Sequence, residues 1–134
     1  METKVRTILV DDDALSVRNL LRLLGPFEEE IDVIGIATDG VKGLEMIDRL
    51  LPDLIFLDVE LPLLDGFEVS RRMRQPAIVV FVTASSSYGR EAKRSGSLAC
   101  LCKPIGHDEM NELMNKVRVA VKLPARLRFQ PGRH

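Results

Sequence analysis

Leu54-Ile55-Phe56-Leu57-Asp58-Val59-Glu60-Leu61-Pro62-Leu63-Leu64-Asp65-Gly66 is the stretch that decides the fold. A short apolar run ends on one carboxylate, Asp58, and then breaks into a turn-rich segment with Pro62 and Asp65-Gly66. The run is too short for a helix and reads as a fully buried strand. In open parallel sheets, ligands bind beyond the carboxyl ends of the strands. A charge at that edge is therefore a candidate for chemistry.

Working outward, the same pattern recurs. Residues 4 to 10 read as a strand that ends on Asp11, Asp12 and Asp13. Ala14 to Leu24 follows, with Val17, Leu20, Leu21 and Leu24 at helical spacing, Asp13 as N-cap and Gly25-Pro26 as the stop. Residues 31 to 37 form a second strand, and Asp39-Gly40 opens a helix with Val41, Leu44, Ile47 and Leu51 on one face. After the central stretch, Phe67 to Arg74 is a short helix whose basic end suits the helix dipole. Gly66 before it reads as a turn residue needing a positive φ.

Residues 77 to 82 are a continuous apolar strand ending on Thr83. Ser87 to Ser95 is a weak, polar, glycine-containing helix. Leu98 to Cys102 is a fifth strand leading to Lys103-Pro104. Gly106 to Lys122 is the last helix, burying Met110, Leu113, Met114, Val117 and Val121. Five βα units with apolar strands imply an α/β fold, a parallel sheet covered on both faces.

The chain has 134 residues and a net charge of −1, which suits one domain with a single proper core. That charge gives no electrostatic case for nucleic-acid binding. No apolar run approaches the roughly 20 residues that span a bilayer, and Met1 to Arg6 lacks a signal-peptide core. The expected location is the cytoplasm. Cys100 and Cys102, two apart on a strand, read as reduced packing thiols. His107 reads as an exposed helix residue, and Arg71, Arg72 and Arg74 as a solvated face. Residues 1–123 form the expected domain, with 124–134 a tail or the start of a linker.

Parallel topology brings Asp11, Asp12, Asp58, Thr83 and Lys103 to one sheet edge. Two carboxylates about 4 Å apart repel by about 4 kcal/mol at an effective dielectric of roughly 20. Three of them must share a proton or bind a cation, and hard oxygen ligands favour Mg²⁺. A divalent cation, the Lys103 ammonium and the Thr83 hydroxyl around one carboxylate make a site for phosphoryl oxygens. The chemistry that follows is attack of Asp58 on phosphorus to give an acyl phosphate.

These residues resemble a two-component response-regulator receiver domain. The matching pieces are Ile8-Leu9-Val10-Asp11-Asp12, Pro52 to Asp58 with Leu61-Pro62 and Asp65-Gly66, Val82-Thr83-Ala84, and Lys103-Pro104. The resemblance spans about residues 4 to 121. It implies a flavodoxin-like doubly wound five-stranded sheet in the order 2-1-3-4-5. It also implies phosphoryl transfer from a phosphohistidine on a histidine kinase or histidine phosphotransfer protein. By the same resemblance, Asp12, Asp58 and the Glu60 main-chain carbonyl bind Mg²⁺ directly, Asp11 acts through a water, and Lys103-Pro104 is cis. An output domain or partner on the 84–106 face, and a phosphorylation-dependent dimer, belong to the same expectation. Glu60 and Ser85 are expected to tune dephosphorylation.

One departure stands out. Cys100 occupies the position where the family usually carries an aromatic that follows the threonine hydroxyl, and Ala99 precedes it. Signalling is then expected to run through Thr83 and loop movement alone, or through a different surface, with the 85–95 region changing order. The expected function is a phosphorylation switch and not a turnover enzyme. Two rivals compete with it. An aspartyl phosphatase would want a second Asp where Glu60 stands, and a degenerate receiver would be a phosphorylation-independent scaffold.

Overall fold

The computed structural model describes residues 3–124. Strands β1 (Val5–Val10), β2 (Ile31–Ala37), β3 (Leu54–Asp58), β4 (Ile78–Thr83) and β5 (Ala99–Cys102) pair in parallel. Their order is β2-β1-β3-β4-β5, the flavodoxin-like arrangement expected from the sequence. Helices α1 (Ala14–Leu24), α2 (Gly40–Leu50), α3 (Gly66–Arg72), α4 (Gly89–Arg94) and α5 (His107–Ala120) connect or follow them.

Alternating residues of each central strand feed two cores. Ile8, Val10, Ile55, Leu57, Val79 and Phe81 face α2, α3 and α4. Leu9, Leu54, Phe56, Val80 and Val82 face α1 and α5. This is why β3 and β4 read as unbroken apolar runs: both of their faces are covered.

The α2 face differs from the hydropathy reading. Val41 and Leu51 are exposed, and the buried residues are Gly40, Gly43 and Ile47. A Cβ on Gly43 would lie 2.7 Å from Val10 Cγ1, so glycine lets this helix lie close on β1. Hydropathy overlooks a contact face built from small residues. Leu51 ends the helix as its C-cap in the left-handed conformation, with φ 51°. In α1 the buried residues are Leu20, Leu23 and Leu24, while Val17 is half-buried and Leu21 is exposed.

Two boundaries also move. Met73 leaves the helix with ψ 137°, so α3 stops at Arg72. The 87–95 region begins as a 3₁₀ turn at Ser86–Tyr88 before the six-residue α4. Cys102 is exposed, so only Cys100 acts as a packing thiol. Burial, then the neighbouring Cys102, pushes the Cys100 thiol pKa up, away from the reactive thiolate.

Candidate functional site

Backbone hydrogen bonds carry each strand one residue further at the carboxyl edge. Asp11 N–H donates to the Ala37 carbonyl at 3.0 Å, Val59 N–H to Val82 at 3.0 Å, and Lys103 N–H to Thr83 at 2.8 Å. The side chains there are thus held by the sheet and not by free loops. Asp58 pairs in register with Val82, which puts Thr83 one residue further along the neighbouring strand. The Lys103-Pro104 bond is cis.

Asp11, Asp58 and Thr83 are buried at this edge, and Asp12 is exposed. Carboxylate oxygens of Asp11, Asp12 and Asp58 lie within 4.8 Å of one another. Lys103 Nζ lies 3.0 Å from Asp11 Oδ2 and 3.4 Å from Asp58 Oδ2, bridging the two buried acids. Glu60 N–H donates to Asp58 Oδ1 at 3.2 Å, and Ser85 N–H donates to Thr83 Oγ1 at 3.1 Å. Asp13 caps α1 as expected, accepting from Leu15 N–H, and its own N–H donates to Asp11 Oδ1 at 2.9 Å.

Burial, and after it the charge of Asp11, pushes the Asp58 carboxyl from 3.8 up to about 6. Lys103 and the Glu60 N–H oppose this without prevailing. For Lys103, burial favours the neutral amine. The hydrogen bond to Asp11 and the charges of Asp58 and Asp11 outweigh it and raise its pKa.

Three carboxylates against one ammonium leave the pocket short of positive charge. Burial first, and the uncompensated Asp11 charge second, keep Asp58 above the ordinary carboxylate range. A hard divalent cation supplies what is missing, so the donor set fits Mg²⁺.

Gly66 has a role different from the positive-φ turn expected. Glycines with positive φ among the described residues include Gly96 and not Gly66. A Cβ on Gly66 would overlap the Asp58 carbonyl oxygen and reach 3.0 Å from Val59 Cα. Its N–H donates to the Val59 carbonyl at 2.9 Å. Gly66 lets α3 begin directly against the backbone that carries Asp58. The left-handed residue in this loop is Leu63, with φ 71°.

A family model described as "Response regulator receiver domain" matches residues 7–116. The chain belongs to the response-regulator receiver family. Receiver domains are the phosphorelay switches of two-component systems. One curated relative is the Positive alginate biosynthesis regulatory protein of Pseudomonas aeruginosa, 31% identical over 115 residues, 84% of this chain and 46% of that protein. Another is the protein-glutamate methylesterase/protein-glutamine glutaminase of Symbiobacterium thermophilum, 34% identical over 140 residues, 96% of this chain and 38% of that protein. The chain thus spans less than half the length of either relative.

Among solved structures, the receiver domain of the putative response regulator NarL from Mycobacterium tuberculosis superposes with a TM-score of 0.76 at 28% identity. That match covers 87% of this chain and 98% of the other. The response regulator domain of Thermotoga maritima CheB also gives 0.76, at 27% identity, covering 91% of this chain and 99% of that one.

Within this receiver domain the structure gathers Asp11, Asp12, Asp58 and Lys103 into one pocket and sets Thr83 at its edge. Glu60 is exposed and reaches the site through its backbone. Where the family aromatic is replaced, Cys100 packs half-buried into the core shared with Phe67, Phe81 and Tyr88. The Tyr88 ring lies 6.0 Å from that of Phe67, and Phe67 lies 4.7 Å from Phe81.

Sequence reasoning missed Ser16, whose Oγ donates to Asp11 Oδ2 at 2.7 Å. An interval of five across a strand-to-helix junction follows neither the helical nor the strand period, so no pattern flags it. Residues 125–134, expected as tail or linker, lie outside the described residues. No helix among the described residues is long and apolar enough to cross a membrane.

Proposed function

We propose that Asp58 accepts a phosphoryl group from a phosphohistidine on a histidine kinase or histidine phosphotransfer protein. The observation that carries this reading is the Lys103 ammonium shared between two buried carboxylates, Asp11 and Asp58. An Asp58 oxygen bonds to phosphorus as the P–N bond breaks, and the electrons of that bond leave with the imidazole. Lys103 turns to a phosphoryl oxygen, and the Thr83 hydroxyl donates to another. Asp12, Asp58 and the Glu60 main-chain carbonyl would hold Mg²⁺, with Asp11 acting through a water, and the cation would supply charge neutralisation for the phosphoryl oxygens.

The chain acts as a switch inside the cell, with residues 1–123 as receiver and 124–134 as tail or linker. Its output partner or dimer mate reads the 84–106 face. A groove beside the pocket, with an apolar wall of Leu15, Leu20, Ala84, Pro104 and Ile105 and with Asp13, Ser16, Asn19 and Lys103 also lining it, suits a docking protein donor.

Incubation with Mg²⁺ and a small acyl phosphate, followed by intact mass, tests this reading. Wild type gains one phosphoryl group and Asp58→Asn gains none. Turnover of the donor without an adduct is the outcome of an aspartyl phosphatase. Neither adduct nor turnover is the outcome of a phosphorylation-independent scaffold.

A further inference from the structure

Asp11 is buried and holds three donors. Asp13 N–H occupies Oδ1 at 2.9 Å, and Ser16 Oγ and Lys103 Nζ share Oδ2 at 2.7 and 3.0 Å. Lys103 is not committed to Asp11, because it also lies 3.4 Å from Asp58. If Lys103 pairs with a phosphoryl oxygen, as the function above requires, it must give up its short contact to Asp11. Asp11 Oδ2 then keeps the hydrogen bond from Ser16 Oγ, and a buried carboxylate oxygen that gives up one donor costs less free energy when another stays in place, with Mg²⁺ beside it or not. Ser16 makes the shortest of the three contacts, and its position does not depend on Lys103. It stands in the first turn of α1, which Leu20, Leu23 and Leu24 anchor in the core and Asp13 caps.

We propose that Ser16 is a positioning residue that keeps Asp11 hydrogen-bonded while Lys103 crosses to the phosphoryl group on Asp58. The inference rests on the phosphoacceptor reading and adds a residue to it. It differs from a simple packing role in when it acts. Ser16 matters little while Lys103 is on Asp11 and matters most once Lys103 has left.

Calorimetric titration of the full chain separates these cases. Two ligands are compared for wild type, Ser16→Ala and Ser16→Thr: Mg²⁺ alone, and beryllofluoride in saturating Mg²⁺. Ser16→Ala is expected to lose about tenfold in beryllofluoride affinity, equivalent to about 1.4 kcal/mol. It is expected to lose less than about threefold in Mg²⁺ affinity, and Ser16→Thr restores both. Equal losses for the two ligands, no loss for either, or failure of Ser16→Thr to rescue overturns the inference. If wild type itself binds no beryllofluoride, the phosphoacceptor reading fails. If wild type binds it and Ser16→Ala binds equally well, only the role of Ser16 fails.

Discussion

Strand β3, which ends on Asp58, is buried at all five residues, whereas β5, which leads to Lys103, is half-buried at Ala99, Cys100 and Leu101 and exposed at Cys102. The elements beside them differ in the same sense. α3 buries Gly66, Phe67, Val69 and Ser70, while α4 buries only Ala92 and is held to β5 at an edge of the sheet. Asp58 is thus fixed at the end of a fully enclosed strand. The segment that connects Thr83 to Lys103 is more exposed, with Ala92 the buried residue of α4 and no fully buried residue in β5. If Asp58 takes up a phosphoryl group as proposed, the enclosed β3 has little freedom to move and the 84–102 side is the one expected to respond.

Amide hydrogen exchange probes this difference where it is largest. Amides of β3 are expected to open only with global unfolding, a cost on the order of 5–15 kcal/mol. Amides of residues 86–95 should open several kcal/mol more easily, and their protection should change on adding Mg²⁺ and beryllofluoride. Equal protection of the two segments would remove the contrast.

One substitution placed at two glycines sharpens the contrast next. A methyl at Gly66 meets the backbone of Asp58 and Val59, which cannot turn aside. Gly66→Ala is expected to cost at least about 1–3 kcal/mol in denaturant unfolding. Gly89 has no neighbour within 4 Å of an added Cβ and has φ −57°. Gly89→Ala should stabilise by about 0.5–1 kcal/mol, through helix propensity and a less free unfolded chain. That is the smallest effect expected here, and its sign is opposite to that at Gly66.

Between these lies the charge of the pocket. Asp58 has a carboxyl pKa of about 6, above the 3.8 of an ordinary aspartate. The folded state therefore holds this proton more tightly than the unfolded state does. The resulting stability is fully present below about pH 4 and is lost as pH rises through about 6. Without divalent cation, Asp58→Asn should exceed wild type in stability at pH 7.5 by about 1–2 kcal/mol. The advantage should shrink as the pH is lowered from 6 to 4. Added Mg²⁺ should stabilise wild type above pH 6 and progressively less below it, because the cation needs the ionised carboxylate. Thermal unfolding across this pH range, with and without Mg²⁺, reads all three effects.

The contrast also explains what the sequence revealed. The buried strands announce themselves because covering both faces demands unbroken apolar runs, and parallel pairing then brings their last residues together. Asp11, Asp58, Thr83 and Lys103 could be gathered from the sequence on that ground. Three features were hidden by close approach or by irregular spacing. The α2 face uses Gly40 and Gly43, which carry no hydropathy signal. Gly66 serves contact and not a turn. Ser16 reaches Asp11 across a junction between two kinds of element. Tyr88 was hidden because its 3₁₀ turn has too few residues to show a period.

The most direct measurement is chemical trapping of the acceptor. The chain is incubated with Mg²⁺ and a phosphohistidine or acyl phosphate donor, the acyl phosphate is reduced with borohydride, and the peptides are mapped by mass. The expected result is reduction of the side chain at Asp58 alone, to homoserine. Reduction at Asp11, Asp12 or another carboxylate, or a phosphoryl group that resists reduction because it sits on a hydroxyl or imidazole, would contradict the account.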